Sequence, residues 1–341
     1  MTSVTTAAPP PATLSLDLDD AWAYLRTRGE RDWSSASSVL PLAVERLLPV
    51  LSEMDLRITV FVVGQDAQKP EGQDAVRALA AAGHEIASHS LLHRGELASL
   101  PEAAIEEDLR HAADAIEAVT GRRPTGFRCP SFGSSPALLR SLRAGGYAYD
   151  ASVLPTLLSP LFRLYYRTRM RTADEDQPPQ DLFGPVTNAL LPLSPFRWGA
   201  DGAGLLELPV STVPLLRTPL HMSYLQALGA TSPSVADGYL RFGLRLLRAR
   251  GVPPSFLLHP TDLLDARDAP RLAFFPGMAR RWTDKLEQLR GAVASLAAGF
   301  DVIPLGEAAR RIGDADLPVR TPGGTVRRGG AWRAVRRSGP T

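Results

Sequence analysis

The sequence predicts an α/β fold in which helices surround a parallel sheet or barrel. Short apolar or β-branched runs alternate along the chain with longer segments of helical periodicity, as in repeated β-α units. Seven or eight such units in about 300 residues favour a (β/α) barrel over an open sheet. A chain of 341 residues with 44% hydrophobic residues is long enough to bury a full core.

The predicted strands are short and rich in β-branched residues, most clearly Arg-Ile-Thr-Val-Phe-Val-Val at residues 57–63. In order, they cover residues 14–18, 57–63, 84–87, 125–128, 147–149, 205–210, 255–259 and 301–304. The predicted helices have apolar residues at helical spacing, and a capping box from Ser99 to Glu102 starts one of them. They cover residues 37–54, 73–82, 99–119, 136–144, 234–250, 279–298 and 305–312.

This order of elements predicts one domain with a segment on either side. Residues 1–12 are expected to be a flexible N-terminus, residues 13–313 the barrel, and residues 314–341 a basic, disordered tail. The part of the tail from Leu317 onward holds six arginines and no acidic residue. Within the barrel, the segment of about 154–203 lacks clear periodicity and is interpreted as an irregular insertion.

The composition excludes several kinds of site. The single cysteine, Cys129, excludes an internal disulfide and a multi-cysteine metal site, and no paired base marks it as a nucleophile. The N-terminal residues do not follow the pattern of a secretory signal, and no run of about 18 apolar residues occurs. We therefore expect a cytoplasmic protein, peripheral at most on the inner face of the membrane, with no nucleic-acid partner.

Two of the six histidines, His89 and His93, stand four residues apart. On a helical turn this spacing would bring both imidazoles to one side, close enough to hold one metal ion. Together with one oxygen ligand, they would leave the open position typical of a catalytic metal. No glutamate lies between them as in His-Glu-x-x-His, so a general base must come from elsewhere. For the pair alone, two helix-surface histidines without a shared role are the simpler interpretation.

Polar residues also follow other predicted strands at their carboxyl ends, where the chemistry of a (β/α) barrel collects. Because these ends meet at one rim, the residues are expected to lie together. They are Asp17, Asp19 and Asp20 after the first strand, the two histidines after the third, Arg128 at the end of the fourth, and His259 at the end of the strand near residue 257.

These segments carry a family resemblance. Ser-Leu-Asp-Leu-Asp-Asp, His-Ser-Leu-Leu-His, Phe-Arg-Cys-Pro-Ser-Phe-Gly and Phe-Leu-Leu-His-Pro occur in the order found in polysaccharide deacetylases of the NodB-homology type (carbohydrate esterase family 4). The chain resembles this family from about Leu14 to Leu305. The resemblance implies a distorted, incomplete (β/α)7–8 barrel. It also implies a hydrolase acting on linear amide C–N bonds with a divalent metal, for which Zn²⁺ is expected.

The resemblance further implies roles for individual residues. Asp17 matches the general base, Arg128 the arginine that orients it, and His259 the general acid that protonates the departing amine. Pro130 shapes a turn in which the amide N–H of Ser131 is the expected oxyanion donor. The family often has an aromatic residue at the position of Ser131, so this subsite is expected to differ.

The metal ligand expected beside the two histidines is Asp19 or Asp20. Leu18 separates Asp17 from this pair, which departs from the family's common Thr-Phe-Asp-Asp and is associated with cytoplasmic-type members. Alternation along an extended segment favours Asp19, because Asp17 and Asp19 face one side. The alternative role for Asp20 is a turn or helix-cap carboxylate.

The insertion bears on the substrate. Residues 157–171 mix leucine, phenylalanine and tyrosine with four arginines, which suits contact with an anionic membrane or a lipid phosphate. The Arg-rich tail could make the same contact. A barrel-covering insertion with its own small core, and a merely solvated tail, are the simpler alternatives. Residues 206–211 are similar to a segment of the cytoplasmic branch of lipid-linked sugar deformylases, whose sugar is carried on undecaprenyl phosphate.

We therefore expect deacetylation or deformylation of an N-acylated amino sugar, either a glycan precursor or a polyprenyl-phosphate-linked sugar. Two alternatives stay open. One is an amidohydrolase on a small non-sugar amide, as in allantoinase-like relatives. The other is a catalytically inactive sugar-binding module, against which the intact Asp17, Arg128 and His259 argue.

Overall fold

The computed structural model describes residues 8–169, 184, 186–199 and 204–322. Within these ranges, the strands are Pro11–Leu18 (β1), Thr59–Val62 (β2), Glu85–Ser88 (β3), Gly126–Phe127 (β4), Tyr149–Asp150 (β5), Phe196–Trp198 (β6), Leu206–Glu207 (β7), Ser255–Leu258 (β8), Asp301–Ile303 (β9) and Val319–Arg320 (β10). The α-helices are Ala21–Arg28 (α1), Leu40–Glu53 (α2), Gly64–Ala67 (α3), Pro70–Ala81 (α4), Glu102–Thr120 (α5), Pro136–Ala144 (α6), Ser159–Arg169 (α7), Met222–Thr231 (α8), Pro233–Ala249 (α9), Trp282–Gly299 (α10) and Leu305–Ile312 (α11). None of these helices is both long and apolar enough to span a bilayer.

All the strands belong to one sheet, in the order β10-β6-β7-β5-β4-β3-β2-β1-β8, and β9 also pairs with β1. Neighbouring strands run parallel except β6 and β7, which are antiparallel. Among the described residues, the path of strands ends at β10 and β8 without closing. The predicted class, a distorted and incomplete (β/α) barrel, is therefore confirmed.

Strand β1 separates the core from the functional side of the sheet. Its residues Leu14, Leu16 and Leu18 are fully buried in the largest hydrophobic cluster, together with side chains of α2 and α10. Because side chains alternate along a strand, Ser15 and Asp17 face the opposite side. Both accept hydrogen bonds there from a single guanidinium, so the apolar core fixes the strand that presents the polar groups.

The predicted domain boundaries differ from the structure on three segments. The segment 154–203, predicted to be irregular, contains α7 and also β6, which joins the sheet beside β7. The predicted disordered tail from 314 begins too early, because Leu317 is buried and β10 pairs with β6. Strand β1 starts at Pro11, inside the predicted flexible N-terminus. Residues 1–7 and 323–341 lie outside the described residues.

Two local features differ from the prediction. Helix α5 begins at Glu102, with Pro101 at the N-cap position, and Ser99 ends a short 3-10 turn before it. Helix α8 was missed because its apolar residues do not concentrate on one face and Gly229 interrupts its sequence.

We predict that Leu317→Ala lowers the free energy of unfolding by about 2 kcal/mol or more, because it removes a buried side chain that packs with Leu206 and Leu305. Val319→Ala is the matched control, since Val319 is 40% exposed two residues further along. It should stay within about 0.5 kcal/mol of wild type. Urea unfolding measures both, and equal losses would contradict the packing of residues 317–320 onto the sheet.

Candidate active site

A cavity of about 580 Å³ lies at the carboxyl ends of β1, β3 and β8 and beside the loop after β4. It brings together most of the residues predicted from the sequence. Arg128 and Pro130 do not line it but are buried beside it. The predicted residues that line the cavity are Asp17, Asp19, His89, His93, Ser131 and His259.

Asp19, His89 and His93 form a candidate metal centre. Their ligand atoms all lie within 4.8 Å of one another. Oδ1 of Asp19 is 3.4 Å from Nε2 of His89 and 3.3 Å from Nε2 of His93. This buried oxygen has no hydrogen-bond partner, which fits a place for a cation. One carboxylate with two imidazoles is a donor set suited to Zn²⁺ or another divalent transition metal.

Charge and hydrogen bonding prepare two of these ligands. Burial opposes the ionisation of Asp19, but His93 and His89 hold the pKa of its carboxyl below its usual range. Burial lowers the pKa of His89, which keeps its ring neutral. Nδ1 of His89 lies 2.7 Å from the carbonyl oxygen of Arg128, so Nδ1 carries the hydrogen and Nε2 is free to ligate.

The two histidines lie on a loop, and the predicted helical turn is wrong. Ser90 and His93 have φ values of 66° and 49°, which break any regular helix. The loop is held from three sides: Gly64 donates to the carbonyl of Ser90, Leu91 donates to the carboxylate of Asp108, and Arg26 donates to the carbonyls of Leu92 and His93. The two histidine rings do lie together, with 5.1 Å between their centres, but a loop and not a helical turn brings them there.

The positions of the two carboxylates favour Asp19 over Asp20 as the candidate metal ligand. Asp20 is the N-cap of α1, and its Oδ1 accepts from the backbone N–H groups of Ala21 at 2.7 Å and Val39 at 2.8 Å. Burial raises the pKa of this carboxyl. Asp20 thus has the helix-cap role, and Asp19 is the aspartate grouped with the histidines.

Asp17 is paired with Arg128. Nη1 of Arg128 lies 2.5 Å from Oδ1 of Asp17, and both side chains are almost completely buried. The same guanidinium donates to Ser15 Oγ and, through Nε, to the carbonyl of Ala151. It also stacks 4.1 Å from the ring centre of Phe61. These contacts leave the carboxylate of Asp17 at the cavity wall in a single orientation.

The segment after Arg128 makes a short 3-10 turn, Pro130–Phe132. Ser131 has φ 59° and ψ 15°, in the left-handed region that non-glycine residues rarely adopt. Among the described residues, no acceptor is recorded for the Ser131 N–H. This strained amide beside the cavity is a suitable oxyanion donor.

His259 is held from two sides. Its Nδ1 lies 3.0 Å from Oγ of Ser223, and its backbone N–H donates to Asp262 at 2.8 Å. The turn after it is fixed by the buried Lys285, whose ammonium donates to the carbonyls of Thr261 and Leu264. Burial lowers the pKa of Lys285 to about 8. With Nδ1 engaged, Nε2 is the nitrogen of His259 left for a substrate.

Two further polar residues of the cavity were not predicted as part of the site. His221 was mentioned only as able to touch substrate. It is the N-cap of α8, and burial together with His259 lowers its pKa to about 3, so it is neutral. Tyr24 places a buried hydroxyl without a partner in the cavity, and burial and Asp19 raise its pKa. Tyr24 lies within α1 and His221 caps α8. Neither residue stands at the end of a predicted strand, which was the criterion for the predicted site.

The rest of the cavity wall is mainly apolar, and its polar members are Thr27, Arg28 and Tyr224. The guanidinium of Arg28 lies 4.1 Å over the ring of Phe274, and its buried Nε has no hydrogen-bond partner among the described residues. It also pairs with Glu30 at 3.2 Å. The apolar lining residues come from two sides: Phe132, Leu154, Leu161 and Phe162 from one, and Ala227, Phe274, Phe275 and Pro276 from the other.

Comparison with known proteins supports the family resemblance. Residues 9–149 match the family model for polysaccharide deacetylases. Over these residues, about two fifths of the chain, it is similar to polysaccharide deacetylases of the NodB-homology type. The match covers the strands that bear Asp17, Asp19, the histidine pair and Arg128, whereas His259 lies beyond it.

Two curated relatives are similar to about a third of the chain. A chitin deacetylase from Pestalotiopsis sp is 30% identical over 112 residues, which are 33% of this chain and 37% of the relative. A peptidoglycan deacetylase from Helicobacter pylori (strain ATCC 700392 / 26695) is 28% identical over 122 residues, 36% of this chain and 40% of the relative. The chain thus spans about two fifths of the length of the curated relatives it matches.

Solved structures share the fold of this chain. A candidate polysaccharide deacetylase from Mycobacterium smegmatis superposes with a TM-score of 0.59 and 23% identity, over 96% of this chain and 99% of that chain. An allantoinase superposes with a TM-score of 0.53 and 19% identity, over 89% and 90%. At these identities the likeness is one of fold alone.

We predict that His93→Ala weakens Zn²⁺ binding by more than about 100-fold, because loss of a ligand costs more than loss of a supporting contact. His111→Ala is the control, since His111 lies outside the cavity lining and contacts Arg110. Metal content after dialysis, with competition titration for affinity, makes the comparison. Equal affinity of wild type and His93→Ala would contradict the metal centre.

Proposed function

We propose that this protein hydrolyses the amide of an N-acylated amino sugar in a reaction that depends on a divalent metal, Zn²⁺ in the first place. The proposal rests on one observation: a carboxylate held by an arginine, a three-residue ligand set and a histidine held by a serine line one cavity. Hydrolysis of an amide needs a base, a means of stabilising an oxyanion, and an acid for the amine. The family match supports the assignment of the reaction.

A metal held by Asp19, His89 and His93 would polarise the acyl carbonyl and acidify a water molecule. The protein groups around the site do the rest. Asp17, oriented by Arg128, accepts the proton of the attacking water. The N–H of Ser131 donates to the oxygen that becomes negative, an interaction typically worth about 10²–10³ in rate.

His259 donates the proton that the departing amine requires. Ser223 holds Nδ1, which directs Nε2 towards the substrate and away from the protein. His221 stands beside it, with 6.3 Å between the ring centres, and stays neutral because of its burial. The neutral ring of His221 therefore adds no positive charge beside His259.

The apolar cavity wall supports the finer proposal that the amino sugar is lipid-linked. A polysaccharide strand is polar along its whole length and gains little from a wall of phenylalanine and leucine. A polyprenyl-phosphate-linked sugar has both parts: the acylated sugar fits the polar end, and the isoprenoid fits the apolar wall. Arg28, stacked on Phe274 with an unpartnered Nε, is a suitable contact for the phosphate.

Exposed apolar side chains accompany this wall, and one of them, Leu161, lines the cavity. Ten large hydrophobic side chains are exposed among the described residues, and seven of them lie between residues 157 and 216. Hydrogen bonds join their segments, since Leu157 donates to the carbonyl of Arg217, which donates to that of Leu191. We call these seven side chains the leucine patch; its members are Leu157, Leu161, Leu164, Val186, Leu190, Leu215 and Leu216.

The leucine patch supports a peripheral contact with a membrane, on its inner face if the chain is cytoplasmic. Leu157, Leu161 and Leu164 are spaced by four and three residues and face one way on and before α7. Leu161 is 58% exposed and also lines the cavity, so the patch and the apolar wall are continuous. Arginines 167–171 and the Arg-rich tail, whose side chains lie outside the described structure, add positive charge for anionic lipids in the sequence.

We predict that Asp17→Asn lowers kcat for acetate or formate release by about 10²–10⁴ while metal content stays unchanged, because the base is lost but the ligands remain. Asp74→Asn is the control, as Asp74 is 80% exposed on α4. Chitooligosaccharides, nucleotide-linked sugars and polyprenyl-phosphate sugars serve as substrates. Full activity of Asp17→Asn would exclude the proposed base.

We also predict that replacing Leu157, Leu161 and Leu164 by serine reduces flotation with anionic liposomes by at least about tenfold, since each leucine contributes about 1 kcal/mol or more of apolar transfer. A Val235→Ser variant is the control, because Val235 is 59% exposed outside the leucine patch. Undiminished flotation of the triple variant, or no flotation of wild type, would refute the membrane contact.

A further inference from the structure

A second pair of carboxyl groups lies beneath the candidate active site, outside the cavity. Asp150 and Glu207 occupy opposite positions on the neighbouring parallel strands β5 and β7. Both side chains are completely buried. The two carboxyl groups interact with each other, and Oδ2 of Asp150 accepts no hydrogen bond from any other described group. Neither the sequence motifs nor the proposed reaction steps account for Glu207.

This pair is connected to the loop that carries Ser131. Asp150 Oδ1 accepts from the hydroxyl of Ser152, and Ser152 Oγ accepts from the backbone N–H of Cys129 at 2.8 Å. Cys129 lies between Arg128 and the Pro130–Phe132 turn. A chain of hydrogen bonds therefore connects the carboxyl pair to the backbone segment that contains Arg128 and Ser131.

Glu207 itself fixes two other groups. Its Oε1 accepts from the backbone N–H of Val153 at 2.9 Å, and its Oε2 accepts from Nε1 of Trp198 at 3.0 Å. Val153 lies two residues after Ala151, whose carbonyl accepts from Nε of Arg128. Two adjacent residues of the loop after β5 are thus held by the pair, Ser152 through Asp150 and Val153 through Glu207.

Two adjacent carboxyl groups that are both completely buried repel each other unless one of them carries a proton, which it can then donate to the other. Burial raises the pKa of Asp150 to about 6, and burial together with the charge of Asp150 raises the pKa of Glu207 well above its usual range. Among the charged groups on the surrounding strands, Arg128 is engaged by Asp17, and Glu85 is engaged by Tyr149 and Thr59. The pair therefore shares one proton at neutral pH, and Oδ2 of Asp150, which has no other donor, is the acceptor available to a protonated Glu207.

We propose that Glu207 is a positioning residue that acts as a neutral, proton-donating carboxylic acid and holds the loops of Arg128 and Ser131 in their working geometry. The expected effect of Glu207 on kcat rests on the proposed function, whereas the protonation of Glu207 does not. Ionisation of Glu207 would place two adjacent negative charges in a buried region beside one arginine. These charges would compete with Asp17 for the guanidinium of Arg128, whose Nη2 has no hydrogen-bond partner among the described residues.

The proton is tested without any substrate. Glu207→Gln can donate to Asp150 as the acid does, but it cannot ionise. The folded pKa of wild-type Glu207 lies above its unfolded value of about 4.3, so wild type loses stability as pH rises from there towards the folded pKa. The unfolding midpoint of Glu207→Gln should therefore rise relative to wild type between about pH 4 and pH 8. Loss of one acceptor adds a penalty that does not change with pH.

Glu53→Gln is the matched control, because Glu53 is exposed and paired with Arg290 on the surface. Its midpoint should follow wild type at every pH. Infrared spectroscopy gives a second readout: wild type at pH 7 should show the carbonyl band of a buried carboxylic acid, and Glu207→Gln should lack it. A midpoint difference that does not vary with pH, or an identical band in both proteins, would overturn the proton assignment.

The positioning role is tested by kcat. Glu207→Gln should keep kcat within about threefold of wild type at pH 7, whereas Glu207→Leu should lose on the order of 100-fold in kcat with a smaller change in KM, as expected for misplaced catalytic groups. Ser152→Ala, which breaks the link to Cys129, should lose about tenfold. Wild-type kcat in Glu207→Leu and Ser152→Ala would overturn the positioning role. If wild type hydrolyses no substrate, the proposed function fails, and the pH and infrared results still decide the proton.

Discussion

The buried ion pair between Arg128 and Asp17 is the constraint on which the rest of the site depends. Removing a guanidinium from water costs several kcal/mol, and the cost is offset only if its donors are well placed. Arg128 reaches Asp17 and Ser15 on β1 and the carbonyl beyond β5. Its own backbone N–H donates to the end of β3, and its carbonyl orients the ring of His89. One buried residue therefore sets the register of the strands that present the base and the metal ligands.

The polar groups nearby form layers around this pair. Above it, Asp19 and the two histidines form a ligand set in which an orphaned carboxylate oxygen faces two imidazole nitrogens. Below it, the Asp150–Glu207 pair contributes one negative charge and one proton, which leaves the charge of Arg128 to Asp17. The apolar wall and the leucine patch lie to the side, where they affect which substrate enters and not how the amide is cleaved. A polar reaction centre with an apolar approach suits a substrate that combines a sugar with a lipid.

Much of the fold was predictable because its signals are local. Pro136–Ala144 and Leu305–Ile312 end where their caps and apolar periods predicted, and the strand-end argument placed Asp17, Asp19, His89, His93 and His259 at one rim. The errors arose where long-range contacts decide. Strands β6 and β10 are only three and two residues long, too short for a clear alternating pattern, and each pairs with a neighbour in the sheet. The histidine loop depends on Asp108 and Arg26, which are distant in sequence. The segment 206–211 was noticed only for its resemblance, and the role of Glu207 was not predicted, because it depends on a carboxyl group 57 positions away, directly opposite on the next strand.

The most direct measurement of the central claim is the release of carboxylate and free amine from N-acylated amino sugars by metal-free and Zn²⁺-reconstituted protein under identical conditions. We expect no release without metal. After reconstitution with one equivalent of Zn²⁺, acid and amine should appear in equal amounts, and chelation of the metal should abolish the release again. Equal hydrolysis by the metal-free protein, or no hydrolysis of any acylated amino sugar by protein that has bound one equivalent of Zn²⁺, would contradict this claim.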